Sequence, residues 1–369
     1  MVGTYLLLLH LQWYFLSVHG TREGNESLIK MEEIKLARQK KDAYSHPLHL
    51  HPGEYLYMEI AVGTPGQYLN VEVDTSFGTS LIVAKERLQR YDFVFYNVSA
   101  STTAEVEPRW VCTEFQSHEL EGKKVADVLR IGEYNLRKAH FQMIELIRSR
   151  PNFLSSFSGK LGLAPLSQVT TESFAQSLVR LLPEPVFTMW FHPDEDGVYR
   201  KGMFSFGGIH EYRYDEPLVY IPLVPTVNLW MVQATKISLG QEIICQQDCN
   251  IQFSTADPYF YGPRAKVNLI HRLLQLGSWR DRTGIHRLNC EDEASHPLLN
   301  VQFGSVEFQW KTSDLWTMKM ERNRIVCVSG IRDATSQTEW AFGHKVMRKL
   351  FTVFAWKNAR MGLAKASRP

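Results

Sequence analysis

This sequence has no marked excess of positive or negative charge. Forty-one Lys and Arg residues against 39 Asp and Glu residues leave a formal net charge of +2. Proteins that bind nucleic acid usually present a clear basic excess, so nucleic acid is not expected among the partners. Hydrophobic residues make up 44% of the 369 positions, which is enough for a large core in two domains or one bilobal domain.

Long apolar runs are also missing beyond the first 20 residues. Residues 1–20 have an apolar core without a preceding Lys or Arg and end in small residues, which predicts a signal peptide cleaved after Gly20. His10 and Gln12 interrupt the run and favour a cleaved signal over a membrane anchor. We therefore expect a protein of the secretory or endolysosomal route that has no membrane contact after signal removal. Asn97 begins an Asn-Val-Ser sequon and is a predicted glycosylation site.

Cysteine is sparse, and its number is odd. The five cysteines are Cys112, Cys245, Cys249, Cys290 and Cys327. Some should pair in a secreted chain, and Cys245 and Cys249 are close enough to close a small loop. Cys290 and Cys327 can close a longer loop, and Cys112 would then have no partner for a disulfide. The Cys245/Cys249 pair lacks a second pair at zinc-ligand spacing, so neither a metal nor a cofactor is expected.

Helical periodicity is rare, whereas short alternating runs are common. Residues 21–50 are polar and basic and end near the proline-punctuated HPLHLHP, which predicts a short propeptide-like segment or a linker. From Gly53 onward, runs rich in β-branched and aromatic residues alternate with Gly, Pro and Asn turns. Helical spacing is limited to residues 170–182, 264–277 and 344–351. The chain is therefore predicted to be mainly β with a few short helices.

One pattern occurs in both halves of the chain. A strand leads into Asp74-Thr75-Ser76 in the first half and into Ser254-Thr255-Ala256 in the second. Gly162 follows the first turn and Gly343 the second, at spacings that differ by a single residue. The matched spacing predicts a duplicated β lobe with a cleft between the two copies.

These stretches, in this order, resemble the pepsin-like aspartic peptidase family over roughly residues 53–369. YMEIAVGTPGQYLNVEVDTS is similar to the strands before the family's first Asp-Thr-Gly turn, and CQQDCNIQFSTADPYFYGP is similar to its small disulfide loop and second turn. SGKLGLAPLS resembles the segment that closes the first lobe, and WAFGHKVMRKLFTVF resembles the C-terminal segment. The resemblance implies disulfides Cys245–Cys249 and Cys290–Cys327.

The same resemblance implies a bilobal fold with a peptide-binding cleft between the lobes. We expect an N-terminal lobe of residues 51–212 and a C-terminal lobe of residues 213–369. The expected state is a monomer, and the expected partner is a peptide or a protein segment in the cleft.

The family's chemistry requires two carboxyl groups that face one water, because the pair must hold one proton and one charge together. Asp74 matches the first carboxyl. Ser254 stands at the position of the second, and a serine can neither carry that charge nor act as the base. The turn glycines are replaced by Ser76 and Ala256, and the region matching the family's flap, residues 114–127, has no tyrosine.

Scaffold positions of the family are retained around this altered site. In the family, threonines that match Thr75 and Thr255 tie the two lobes together by hydrogen bonds beneath the active site. Gly162 and Gly343 also match. The resemblance therefore implies that the scaffold persists while the catalytic positions have changed.

Three hypotheses follow for function. The first is a secreted homologue, impaired in catalysis, that binds a peptide or protein in its cleft. The second is a functional aspartic endopeptidase with an atypical or single-Asp site, which rests on Asp74 and the overall fold. Asp257 and His344 are the candidates to replace the missing carboxyl. The third is a structural or inhibitory partner that acts through an outer surface, and no sequence feature favours it specifically. The first hypothesis is our prediction.

Overall fold

In the computed structural model, the described residues are 43–50, 55–84, 94–115, 118–148, 157–165, 173–193, 199, 201–225, 228–274, 286–288, 296–321, 324–334 and 339–368. They belong to a single unit that spans Ala43–Pro369. The predicted signal peptide, residues 21–42 and Cys290 lie outside the described residues.

Strand follows strand along most of the described chain, so the predicted mainly β fold is confirmed. In the first half the strands are β1 (Tyr44–Leu50), β2 (Leu56–Val62), β3 (Gln67–Asp74), β4 (Leu81–Val83), β5 (Glu105–Phe115), β6 (His118–Ile131), β7 (Tyr134–Arg148), β8 (Gly159–Gly162), β9 (Val186–His192), β10 (Lys201–Phe206) and β11 (Tyr214–Pro222).

The described part of the second half adds fourteen more strands. They are β12 (Met231–Ala234), β13 (Lys236–Leu239), β14 (Glu242–Cys245), β15 (Cys249–Phe253), β16 (Phe260–Gly262), β17 (Arg287–Leu288), β18 (Leu299–Phe303), β19 (Val306–Trp310), β20 (Trp316–Glu321), β21 (Arg324–Ser329), β22 (Ile331–Asp333), β23 (Trp340–Phe342), β24 (Leu350–Ala355) and β25 (Arg360–Ala366).

Thirteen strands form one sheet that joins the first half of the chain to its C-terminal end. Its order is β11-β25-β24-β9-β10-β1-β2-β3-β8-β4-β7-β6-β5. The strands between β11 and β24 form three smaller sheets of five, four and three strands. The last two strands, β24 and β25, therefore pack beside strands made much earlier in the sequence.

A four-strand arrangement occurs once in each half. In the first half, β3 runs parallel to β8, β8 runs antiparallel to β4, and β4 runs parallel to β7. In the second half, β15, β23, β16 and β22 repeat this order with the same directions. The repeat places Asp74 and Ser254 at equivalent points, because each ends or directly follows the first strand of its set.

The helices are shorter than their sequence patterns suggest. Where the structure describes the chain, they are α1 (Phe174–Val179), α2 (Arg264–Leu273) and α3 (His344–Met347). Ser173 sets the start of α1 through a capping box with Gln176. The helix predicted over 344–351 is wrong beyond Met347, because Leu350 and the five residues after it are all buried in β24, in the large sheet.

Residues 44–50 are not a linker, although the sequence predicted a propeptide-like segment or linker up to residue 50. They form β1, whose first six residues pair with β10 and whose last two pair with β2. Leu48 is fully buried. The prolines of this segment predict a linker, but Pro47 lies within β1.

The hydrophobic core is continuous between the two halves. Phe187 of β9 stacks on Phe354 of β24 with ring centroids 4.3 Å apart, and Trp230 packs edge-on against Phe187. The Trp230 indole donates a hydrogen bond of 2.7 Å to the Leu163 carbonyl, directly after β8. Aromatic packing and this hydrogen bond thus fix the second half against the end of β8, which pairs with the strand that carries Asp74.

Within the described residues, no helix combines the length and hydropathy needed to cross a membrane.

Candidate active site

Asp74 ends β3 and is fully buried. Its Oδ1 accepts two hydrogen bonds from Ser76, one from the backbone N–H at 2.8 Å and one from the hydroxyl at 2.6 Å. The Ser76 side chain therefore supplies a donor to this carboxyl. Oδ2 is buried and has no hydrogen-bond partner among the described residues.

Ser254 follows β15 and is half-buried. Its backbone N–H donates to the Phe342 carbonyl at 3.0 Å, which continues the pairing of β15 with β23. Its hydroxyl makes no hydrogen bond to any described residue. The structure places a neutral hydroxyl, and no carboxyl, at the point of the second half that is equivalent to Asp74.

Two threonines join the halves through reciprocal hydrogen bonds. The Thr75 N–H donates to Thr255 Oγ1 at 3.0 Å, and the Thr255 N–H donates to Thr75 Oγ1 at 3.1 Å. Each hydroxyl also donates across the junction, from Thr75 to the Phe253 carbonyl at 2.9 Å and from Thr255 to the Val73 carbonyl at 2.6 Å. Both residues are buried. These bonds join the turn that follows Asp74 to the turn that follows Ser254.

Gly162 and Gly343 pack closely against the backbone of the segments that follow Asp74 and Ser254. A Cβ on Gly162 would lie 2.8 Å from the backbone of Thr79, and a Cβ on Gly343 would lie 2.3 Å from the Asp257 carbonyl. Backbone cannot yield as a flexible side chain can, so a larger residue would displace either turn. The Leu163 N–H donates to the Asp74 carbonyl at 2.8 Å, which fixes the first approach.

A buried ion pair lies beside Asp74. Glu72 and Lys160 are register partners on β3 and β8, and Lys160 Nζ donates to Glu72 Oε2 at 2.6 Å. Each side chain is about 6% exposed. Sequence reasoning missed this pair, although period-two alternation in VEVD places Glu72 on the same strand face as Asp74.

Burial raises the pKa of Glu72 above its ordinary value of 4.5. The charge and hydrogen bond of Lys160 oppose that shift, while the negative charges of Asp74 and Asp257 add to it. Glu72 Oε1, like Asp74 Oδ2, is buried without a hydrogen-bond partner among the described residues. The ion pair is therefore incompletely satisfied.

Asp257 and His344, the two suggested replacements for the lost carboxyl, occupy different environments. The Asp257 carboxylate accepts from the Tyr259 N–H at 3.0 Å and from the Tyr261 hydroxyl at 2.7 Å. Burial, and then the charge of Asp257, raise the pKa of the Tyr261 phenol, so Tyr261 stays a donor. His344 begins α3, is fully buried, and donates its backbone N–H to the Asp257 carbonyl.

A pocket of about 760 Å³ opens beside Ser76. Its wall includes Val111 and Cys112 of the β5–β6 hairpin and Gln142 of β7. Buried Gln142 donates to the Leu120 carbonyl and accepts from the Thr113 hydroxyl, so it ties both strands of this hairpin to β7. The rest of the wall mixes small, apolar and uncharged polar residues with the charged Glu107 and Lys124. The pocket has the size and composition of a ligand site.

The remaining predicted positions lie on other parts of the fold. Cys245 and Cys249 form a disulfide that links β14 to β15, five residues before Ser254. Cys327 is also disulfide-bonded, and its predicted partner, Cys290, lies outside the described residues. Cys112 is a free, exposed thiol.

Asn97 is half-buried and directly precedes a short 3₁₀ turn. Within the described residues, no group of His, Cys, Asp and Glu is arranged to hold a metal ion.

Comparison with known proteins gives a single family. The model described as eukaryotic aspartyl protease matches residues 54–366. Pregnancy-associated glycoprotein 1 of Bos taurus is 26% identical over 343 residues, which cover 87% of this chain and 84% of that protein. Pepsin A-5 of Mus musculus is 26% identical and renin of Ovis aries is 24% identical, and each alignment covers 84% of this chain and 80% of the relative.

The reciprocal threonine bonds predict a coupled loss of stability. Thr75→Val or Thr255→Val should each lower the free energy of unfolding by about 1–3 kcal/mol, because each leaves a buried partner unsatisfied. The double variant should lose less than the sum of the two, since both substitutions remove the same bonds. Chemical denaturation measures this, with exposed Thr235→Val as the control. Additive losses would contradict the coupling.

The Glu72–Lys160 pair predicts opposite outcomes for single and double substitutions. Lys160→Met should destabilise the protein by about 3–5 kcal/mol, because Glu72 keeps a buried charge without its cation. Glu72→Leu combined with Lys160→Met should restore most of that stability, since apolar residues of similar volume replace a poorly solvated pair. Thermal unfolding of the three proteins provides the measurement. A double variant as unstable as the single one would show that the pair itself stabilises the fold.

The raised pKa of Glu72 predicts that the difference in unfolding free energy between the wild type and Glu72→Gln depends on pH. Because the folded-state pKa lies above the unfolded value, protonated Glu72 contributes stability at low pH that is lost as the pH rises through the folded-state pKa. The unfolding free energy of the wild type minus that of Glu72→Gln should therefore fall from about pH 4 to pH 8. Denaturant titrations at several pH values measure the difference, and a rising difference would reverse the inferred sign.

Proposed function

Because the chain belongs to the eukaryotic aspartyl protease family, we propose that it binds a peptide or protein segment between its two halves without cleaving it efficiently. The observation that carries this proposal is the hydroxyl of Ser254 at the point equivalent to Asp74. The reciprocal threonine bonds support a retained scaffold, and the pocket beside Ser76 supports retained binding.

The loss of one carboxyl affects the chemistry more than the binding. Hydrolysis by a carboxyl pair needs one member to accept a proton from water and the other to donate one toward the scissile carbonyl. Asp74 alone cannot do both in a single step, and Ser254 has no positioned base among its contacts. A positioned acid or base typically contributes about 10²–10⁴-fold in rate, so cleavage should be slower by at least that factor.

Functional endopeptidase activity with an atypical site remains the second candidate. Asp257 supports it best, because its carboxylate lies in the same turn as Ser254 and acts electrostatically on Glu72. However, the two Asp257 oxygens already accept from Tyr259 and Tyr261. A carboxylate held in this way is a weaker candidate for the missing acid or base.

The route of the protein through the cell is part of the same proposal. We propose signal cleavage after Gly20, passage through the secretory or endolysosomal pathway, and glycosylation at Asn97. The segment up to residue 50 is proposed to act as a short propeptide only in its earlier part, because residues 44–50 contribute β1 to the large sheet. The lobes of residues 51–212 and 213–369, and a monomeric state, are proposed on the same family basis.

Cleavage assays test the catalytic part of the proposal. Residues 21–369, incubated with a denatured protein at pH 3–7, should cleave it at least 10²-fold more slowly than an equal amount of pepsin, because one acid–base group is missing. Ser254→Asp restores the second carboxyl and should raise any residual rate. Substrate fragments separated by electrophoresis provide the measurement.

Asp74→Ala is the matched control for contaminating peptidases. Residual cleavage that persists in Asp74→Ala comes from another enzyme. Efficient cleavage by the parent that disappears in Asp74→Ala would refute the impaired site and favour the endopeptidase hypothesis.

A further inference from the structure

Two nitrogen-bearing side chains in the wall of the pocket beside Ser76 lack a partner within the described residues. They are Lys124 of β6 and His140 of β7, and both residues are half-buried. Neither side chain makes a hydrogen bond or an ion pair to any described residue. Withdrawing a charged or polar group from water is unfavourable unless a partner replaces the water, so these donors mark a place where an acceptor fits.

The other lysines of the same two strands do have carboxylate partners. Lys123 Nζ lies 4.0 Å from Glu145 Oε1, and Lys138 Nζ lies 2.6 Å from Glu105 Oε2. Lys124, which is the lysine that lines the pocket, is the exception on this part of the sheet.

Lys124 and His140 lie on one face of the β6–β7 pair. Val125 and Phe141 enter the main hydrophobic core, so the residues next to them in sequence point to the opposite face. Lys124 is the register partner of Gln142, and His140 precedes Gln142 by two residues. Diagonal neighbours of this kind lie about 7–8 Å apart. One carboxylate can bridge the two side chains, because each of its oxygens accepts a hydrogen bond of about 2.8 Å.

Gln142 lies beside both donors but is engaged elsewhere. Its side-chain oxygen accepts from the Thr113 hydroxyl, and its amide nitrogen donates to the Leu120 carbonyl at 3.2 Å. The amide thus holds the hairpin, and no hydrogen bond joins it to Lys124 or His140. An acceptor for these two side chains can come from a ligand in the pocket.

Glu107 contributes a carboxylate to the same wall. It lies on β5 within the shift of register between Val106 and Trp110, and it is exposed. Its charge is therefore screened by water more strongly than the charge of half-buried Lys124. The more enclosed part of the wall presents an ammonium group and an imidazole, which favour an anion.

We propose that the pocket selects peptides that carry an Asp or Glu side chain, whose carboxylate accepts hydrogen bonds from Lys124 Nζ and the His140 ring. The inference rests on the proposed peptide-binding function and names the class of ligand. Lys124 is the specificity-determining residue, because it supplies the charge, and His140 adds a second donor.

Selection from a random peptide library tests the ligand class. A library of 12-residue peptides displayed on phage, selected on residues 21–369 at pH 7, should become enriched in Asp or Glu at one position, since both side chains are ionised there. The leading peptide is then synthesised with glutamate, glutamine or lysine at that position. All three forms carry a C-terminal amide, so that the side chain alone supplies the carboxylate.

Fluorescence anisotropy compares the three peptides on the wild-type protein. The glutamine form should bind at least about 10-fold more weakly than the glutamate form, because it loses a charge-assisted hydrogen bond. The lysine form should bind more weakly still, because its ammonium group meets that of Lys124. This comparison does not depend on how well any variant of the protein folds.

Variants of the protein locate the effect. Lys124→Met should weaken binding of the glutamate form at least about 10-fold and leave the glutamine form within about 2-fold, whereas Lys124→Arg should keep the preference for glutamate. Lys201→Met, which removes an exposed ammonium group on β10 outside the pocket wall, is the matched control and should leave both affinities unchanged.

The outcomes separate this inference from the function on which it rests. Peptides that bind without enrichment of acidic residues, or a glutamine form that binds as tightly as the glutamate form, would overturn the inferred ligand class and leave peptide binding intact. A preference for glutamate that survives in Lys124→Met would overturn the assignment to Lys124. A library that yields no binding peptide would overturn both the inference and the proposed function.

Discussion

The rest of the structure depends on the reciprocal hydrogen bonds between Thr75 and Thr255. They connect residues 180 positions apart in sequence and fix the end of β3 against the turn after β15. Because each threonine uses both its backbone and its hydroxyl, the turns have little freedom to slide or rotate. The positions of Asp74, Ser254 and the two supporting glycines all follow from this junction.

A fixed junction explains how the site can change its chemistry and keep its shape. One aspartate and one serine stand at equivalent points of the two halves, and the strands that present them share the same repeated four-strand arrangement. The charges of Glu72 and Lys160 lie on the side of β3 and β8 that faces away from the main core. This buried ion pair makes the surroundings of Asp74 polar, while Val71, Val73 and Leu161 pack in the main core on the other side.

Most of the architecture could be predicted from the sequence, because alternation and the order of turns reflect local backbone preferences. The family membership and the mainly β fold are confirmed. Two predictions were wrong: the helix over 344–351, which ends at Met347, and the linker up to residue 50, where residues 44–50 form a strand. In both places tertiary pairing in the large sheet overrides local propensity. The Glu72–Lys160 pair was missed because it joins strands 88 residues apart, and only register, which is set by the whole sheet, makes them neighbours.

The order of strands in the large sheet constrains how this chain is assembled. Strands β24 and β25 lie between β9 and β11, so the sheet has a gap of two strands until residues 350–366 have been synthesised. Until then β9 and β11 present unpaired edges, and such edges favour association with other chains. Completion of the large sheet must therefore await residues 350–366, and pairing between strands so distant in sequence is slow. The C-terminal strands thus act as the closing element of the molecule, and even a short truncation at that end would leave the central sheet open.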